Sequence, residues 1–453
     1  MNQSATTGHL SDIEYDELSL EVSVGPGGQR EVRVLDAGLA GRARELFEAP
    51  YTAEELGQKL SELDHLLLQS DSGSSRRRSQ MAESIGEDLF RALFRGSIGE
   101  ALRRKLDQLY ERQKDCRSGL RIRLSFGQMM RSSPEIVGLP WELITPPDRS
   151  FSVNSPETPL VRHLDLVRPG RRIEVGRPIR VLAILASPSG LRSIDLGPHE
   201  EALEAACERD NMELEIMWRT PLNKLRSQLQ KFRNRGKSIH VLHFLGHGDF
   251  DSDGIGGLNF ERSDGSRDRV PGRSLGQLLS GCGLQLAVLN TCVGGRMMIK
   301  EGQHPFAGSA SALVAADLPA VVGMQFSVSE AAAIRFAKYF YPQLAAGSSV
   351  EEAVTEGRLA MLGNDSGGLE WASPVLFLRA PDGVVTVGAG SFSESRAGLL
   401  ENEGSPPSTA AQHVHSERDT YTSNGPMKIT RGNSYEAGRD IDVGDGSKTR
   451  DPR

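Results

Sequence analysis

The chain is poor in cysteine and in aromatic residues. Cys116, Cys207, Cys282 and Cys292 are all the cysteines in 453 residues. They form no CxxC pair and have no histidine at zinc-ligand spacing. That argues against a zinc module or a disulfide framework and for a reduced, cytoplasmic thiol protein. No apolar run approaches the length of a membrane span, and Met1 to Asp16 is too polar to contain the apolar segment of a signal peptide. The net charge of -7 gives no reason to expect nonspecific nucleic-acid binding. A Gly-rich phosphate loop ending in Gly-Lys-Ser/Thr is absent, and no 34-residue period marks helical repeats. The remaining composition, 38% hydrophobic and 25% charged, fits a globular chain long enough for two or three domains.

Two apolar runs stand out. Ile239-His240-Val241-Leu242-His243-Phe244-Leu245 breaks into Gly246-His247-Gly248. Leu284-Gln285-Leu286-Ala287-Val288-Leu289-Asn290 breaks into Thr291-Cys292-Val293-Gly294-Gly295. Short apolar runs bounded by glycine read as buried strands of a parallel sheet. Sites in such sheets form just beyond the carboxyl ends of the strands, where His247 and Cys292 both fall. Neighbouring strands lie roughly 4.8 Å apart, so an imidazole and a thiol on adjacent ends could face each other. A histidine can serve as base to a cysteine, whose thiolate is the nucleophile. The N–H groups of Gly248 and Cys292 could then hold an oxyanion. Each residue alone would pass for a buried structural cysteine or a loop histidine; the pair at two strand ends favours a dyad.

In chain order, residues 1–15 read as disordered, and Leu18 to Leu35 as a hairpin around Gly25-Pro26-Gly27-Gly28. Ala40 to Phe47 and Thr52 to Leu68 have helical spacing. Ser70 to Ser79, with three consecutive arginines, reads as a polar mobile loop. Ile85 to Phe94 and Ile98 to Gln113 read as helices and Leu120 to Phe126 as a strand, while Pro140 argues against a central strand at 139–144. After Arg168, strands and helices alternate with short connections, which predicts a mostly parallel sheet with right-handed crossovers. From about residue 387 to Arg453 large apolar residues are scarce, and the tail reads as disordered. Within it, residues 424–446 hold short β-prone pieces punctuated by Gly and Asn. They weakly resemble the amyloid-signalling motifs of some bacterial defence effectors.

Together, Ile85-Gly86-Glu87-Asp88-Leu89-Phe90, Gly119-Leu120-Arg121-Ile122-Arg123-Leu124, Leu139-Pro140-Trp141-Glu142-Leu143 and Pro159-Leu160-Val161-Arg162 carry a family resemblance. So do the Ile179–Pro188 strand followed by Glu200, His243-Phe244-Leu245-Gly246-His247-Gly248 and Leu289-Asn290-Thr291-Cys292. Pro319-Ala320-Val321-Val322-Gly323-Met324-Gln325 and Trp371-Ala372-Ser373-Pro374-Val375-Leu376 complete the series. In this order they resemble a CHAT domain, the caspase/separase-like cysteine peptidase family, over about 16–383.

The resemblance implies an α/β fold: a caspase-like, mostly parallel sheet with helices on both faces over 169–386, preceded by a smaller α+β part over 16–168. It places the catalytic histidine at His247 and the catalytic cysteine at Cys292. Peptide cleavage would pass through a thioester, with no cofactor required and no third residue named to orient the histidine. Gln325, Ser327 and Trp371 are candidates for a substrate pocket, though packing roles fit them equally.

Asp249, Asp251 and Asp253, with Gly254, match the opening of a calcium-binding EF loop. Position twelve of that loop is Phe260 rather than glutamate, so calcium competes with a plain acidic turn. The expected partners are a protein substrate and an activating sensor or receptor that engages the tail, with neither nucleic acid nor membrane. The function implied is that of a regulated cytosolic endopeptidase in a bacterial defence or cell-death pathway. The alternatives are a scaffold with an unused dyad and a thiol hydrolase or acyltransferase of small molecules.

Overall fold

The computed structural model describes residues 13–25, 27–35, 43–67, 72–126, 133–164, 170–252, 256–291, 305–326, 328–362 and 369–387. All of them lie in one compact unit, Met1–Arg396. A second unit, Ala397–Arg453, lies outside the described residues, and with it the tail motif expected at 424–446.

The N-terminal part holds β1 (Glu14–Val24), β2 (Arg30–Val34), β3 (Arg44–Leu46), β4 (Ser118–Ser125) and β5 (Leu160–His163). Its helices are α1 (Ala53–Leu67), α2 (Ser72–Leu93), α3 (Gly96–Arg112) and the short α4 (Pro134–Val137). Two expectations fail here. The described part of the helix expected at Ala40 to Phe47, residues 43–47, is not helical: Arg44–Leu46 pairs with β2, extending the predicted hairpin to a third strand. The expected polar loop at Ser70 to Ser79 is instead the first turns of α2 from Ser72 onward. Its arginines favour helix, and Arg78 is buried, donating from Nη1 to the carbonyl of Leu66 near the end of α1 (2.6 Å). The Pro140 segment is a tight turn of 3-10 helix at Trp141–Leu143, as the proline implied.

The C-terminal part contributes β6 (Ile173–Val175), β7 (Ile179–Leu185), β8 (Met212–Trp218), β9 (Val241–Phe250), β10 (Gly256–Glu261), β11 (Arg267–Pro271), β12 (Leu286–Thr291), β13 (Ala320–Met324), β14 (Pro374–Leu378) and β15 (Val385–Val387). The helices between them are α5 (Gly197–Cys207), α6 (Leu222–Asn234), α7 (Gly272–Leu279), α8 (Pro305–Ala315), α9 (Glu330–Ala346) and α10 (Val350–Leu362).

Among the described residues, thirteen strands form one mixed, mostly parallel sheet. The order β8-β7-β9-β12-β13 is parallel throughout, and antiparallel β14 follows. Next to β14 come β5, β4 and β1, again parallel, and then the antiparallel β2 and β3. The sheet therefore crosses the boundary expected at 168/169, through the Phe377↔Arg162 pair of β14 and β5. The apolar cores do not merge. One cluster runs from Val161 to Ala380, and a second from Leu18 to Leu160 with Phe326, Leu369 and Ala372 added. In the larger part α5, α9 and α10 pack together as one helical layer, and α7 packs with α8 as the other. Apolar burial on both faces explains why β7, β9 and β12 are continuous apolar runs rather than alternating ones.

Candidate active site

β9 lies between β7 and β12. Val181–Leu185 pair with Val241–Leu245 on one side, and Leu286–Thr291 with Val241–Gly246 on the other. The expectation that this strand ends at the Gly-His-Gly needs correction. β9 runs on to Phe250 and exchanges partners: from His247 onward it pairs antiparallel with β10, with Asn259 opposite His247 and Leu258 opposite Gly248. Gly246 makes the exchange feasible. A Cβ there would crowd the carbonyl oxygen of Ala186, at 3.1 Å, and the ring of Phe244, at 2.9 Å.

His247 is 7% exposed. Its Nε2 lies 2.7 Å from the carbonyl oxygen of Arg192. A carbonyl only accepts, so Nε2 carries the hydrogen and the neutral ring keeps its lone pair on Nδ1. Burial pushes the pKa of His247 below the usual histidine value. The hydrogen bond to Arg192 opposes that shift, and the charges of Arg267 and Arg192 add to it. The outcome is a neutral imidazole with one nitrogen anchored and the other available as a base.

The Arg192 carbonyl is the functional group that sequence reasoning missed. No side-chain signal could have revealed it, because any residue supplies a main-chain oxygen. The hairpin β10–β11 holds its loop. Ser187 N–H donates to Glu261 Oε1 and Ser189 N–H to the Gly265 carbonyl, both at 2.9 Å. Within the loop, Ile194 N–H donates to Ser187 Oγ at 2.9 Å, and Gly190 takes φ 85°.

β12 is described as far as Thr291, which stands opposite Gly246. Those two residues immediately precede Cys292 and His247 in the chain. Cys292 itself lies outside the described residues, as do Ser327 and Asp253. Gly248, the second proposed oxyanion donor, is half-buried on β9.

The remaining candidates have other work. Gln325 is buried, and its amide is fully engaged. Nε2 donates to Glu142 Oε2 (2.8 Å) and to the Ala372 carbonyl (2.6 Å), while Oε1 accepts from Arg162 Nη2 (3.0 Å). Arg162 in turn forks onto Glu142 with Nε and Nη2. This network ties the turn at Trp141 to the end of β13, so Gln325 is a packing residue rather than a pocket wall. Trp371 is partly buried against both apolar clusters. Asp249 is ion-paired with Arg267 and with Arg269 Nε (2.6 Å), and Asp251 with Arg269 Nη1 (3.4 Å). The first two carboxylates of the calcium reading are thus neutralised by arginines of β11. Among the described residues no group of three His, Cys, Asp or Glu side chains could hold a metal ion.

The CHAT domain profile matches residues 87–379, and the chain belongs to that family. No curated protein matches it. Two crystal structures of the Saccharomyces cerevisiae separase-securin complex are similar to it. One, at 2.6 Å resolution, has 13% identity and a TM-score of 0.46 over 80% of this chain and 30% of the other. The second, at 3.0 Å, has 12% identity and a TM-score of 0.45 over 81% and 30%. The chain thus spans about 30% of the solved chains it matches. Among the described residues no helix is long and apolar enough to cross a membrane.

Proposed function

We propose that the protein is a cysteine endopeptidase in which Cys292 attacks the scissile carbonyl and His247 manages the protons. The observation that carries this reading is the register of β9 and β12, whose last shared pair is Gly246 and Thr291, the residues that immediately precede His247 and Cys292 in the chain. CHAT family membership and the anchored, neutral His247 support it. In the acylation step His247 Nδ1 takes the proton of the Cys292 thiol, the sulfur bonds to the carbonyl carbon, the peptide C–N bond breaks, and His247 passes that proton to the leaving amine. Water then attacks the thioester, which regenerates the thiol and releases the acid. The N–H groups of Gly248 and Cys292 hold the oxyanion. The resemblance of the family to defence and cell-death proteases supports a finer reading: a regulated cytosolic effector, switched on by a sensor or receptor that engages the C-terminal tail.

The test is to express the wild type and Cys292→Ala, with and without genetically neighbouring proteins, and to map new protein N-termini. Termini that appear only with the wild type support the peptidase. Identical profiles under every condition, with the biological effect retained by Cys292→Ala, would replace it with a scaffold.

A further inference from the structure

The open edge of the sheet at β8 has the features of a second binding surface. β8 pairs with β7 alone among the described strands. Ile179 N–H donates to the Asn211 carbonyl at 2.7 Å, and Ile179 stands opposite Met212. In the regular spacing of a parallel ladder, the odd-numbered residues of β8 therefore turn their backbone groups to β7. Leu214, Ile216 and Trp218 turn theirs outward. The side chains of these three residues also line a cleft of about 540 Å³ between β8 and α5, together with Glu200, Glu204, Cys207 and Glu208. That volume lies within the roughly 300–1,000 Å³ of ordinary ligand sites. Its wall carries three carboxylates four residues apart, Glu200 and Glu204 on α5 and Glu208 just past its end, and no cation. Glu204 and Glu208 are exposed and have no ion-pair partner among the described residues. Trp218 is 42% exposed, with its indole Nε1 donating to Glu200 Oε1 at 3.1 Å.

We propose that the β8–α5 cleft docks an extended basic peptide of another protein, added as a strand beside β8. Unpaired backbone groups of a sheet edge supply the main-chain hydrogen bonds of such an addition. Alternate side chains of the peptide point to the cleft, where lysine or arginine meets Glu200, Glu204 and Glu208 and the stems lie on Leu214, Ile216 and Trp218. A second copy of this chain is a poor occupant, because β8 has no lysine or arginine to offer the carboxylates of the cleft. β7 lies between β8 and β9, so a bound peptide would run three strand spacings, roughly 14 Å, from β9 and would not cover His247. The proposal stands whether or not Cys292 is a nucleophile.

The probe is a fluorescein-labelled octapeptide of alternating lysine and valine, titrated with the full chain and read by anisotropy. Two control peptides replace the lysines with glutamate or the valines with proline. The lysine–valine peptide is expected to bind and both controls to fail. Glu204→Lys/Glu208→Lys is expected to weaken binding at least about tenfold, and Trp218→Ala to weaken it too. Thermal melts that match the wild type confirm that the variants are folded. Absence of binding overturns the proposal, as does affinity within twofold of wild type for the charge-reversed variant. Equal binding of the proline peptide would show electrostatic adhesion instead of strand addition. A concentration-dependent dimer that Trp218→Ala dissolves would assign the edge to a second copy. Each of these last two outcomes also overturns it.

Discussion

Thr291 and Gly246 face each other in the last rung that β12 shares with β9. Beyond this rung β9 takes β10 as its partner, and the residue that follows Thr291 in the chain is Cys292. The rung stands one residue before each member of the proposed dyad in the sequence. Cys292→Ala and His247→Ala are each expected to lower cleavage by roughly three orders of magnitude or more. Far-ultraviolet dichroism should remain unchanged, because a strand ladder is held by backbone groups, which neither substitution removes. Residual activity above a tenth of wild type in either variant would dismiss the dyad.

Because burial holds the pKa of His247 below the ordinary histidine value, the base stays neutral at pH values where a free imidazole has begun to protonate. The acid limb of kcat/KM should fall below pH ~6.5. Arg267 contributes to the depression, so Arg267→Gln should move the limb upward. A limb that stays in place would remove Arg267 from the electrostatics of the site.

The loop that presents the Arg192 carbonyl depends on Gly190 at φ 85°, where an added Cβ meets nothing within 4 Å. Gly190→Val is therefore a test of backbone conformation alone. The left-handed region costs a branched residue about 1–2 kcal/mol, which should shift the loop away from His247. The expected signature is a fall in kcat with nearly unchanged melting temperature. Equal losses in both would indicate a general packing defect.

Arg162 and Glu142 are 1% and 0% exposed and bonded in a fork, with Gln325 closing the network. Removing one partner strands the other charge in the core. Arg162→Met should cost about 3–5 kcal/mol of unfolding free energy in denaturant titration. Arg162→Met/Glu142→Met should cost less than the single change, because it leaves neither charge behind.

Three buried histidines predict an acid-labile fold. Burial lowers His199 and His240 to about 4 and His243 to about 3. The unfolded chain, with histidines near 6.5, takes up those protons first. Stability is therefore complete above pH ~6.5 and declines as pH falls towards the folded values. Denaturant midpoints measured from pH 8 to 4 should show this slope. His243→Gln, which keeps an amide near Tyr341, should flatten it; an unchanged slope would exclude His243 as a contributor.

The parallel layer was legible because burial on both faces writes itself as unbroken apolar runs: 239–245, 284–290 and 180–186 all became strands. The Gly246-His247-Gly248 break was visible too, but its meaning was not. Glycine marks both the end of a strand and a close backbone approach, and only the position of Ala186 and Phe244 distinguishes them. Polarity alone reads as a loop at 70–79, whereas from Ser72 onward a helix pinned by one buried Arg78 tolerates a polar face. β10 and β11 lay hidden in an acidic, Gly-rich stretch whose order comes from pairing with β9 and from arginines that face Asp249. Gln325 followed a strand end, the right place for a pocket wall, yet Glu142 and Arg162, far away in sequence, claimed its amide.

One sheet spanning two cores has a consequence for how the molecule would be seen to break. Phe377 and Arg162 join the halves in a rung, and buried pairs such as Arg121 with Glu351 clamp them across the same seam. A protease that severed the backbone between residues 164 and 170 would cut the polymer and leave the particle whole. Such a nicked protein would elute from a sizing column at its original volume and separate into two bands only under denaturing conditions.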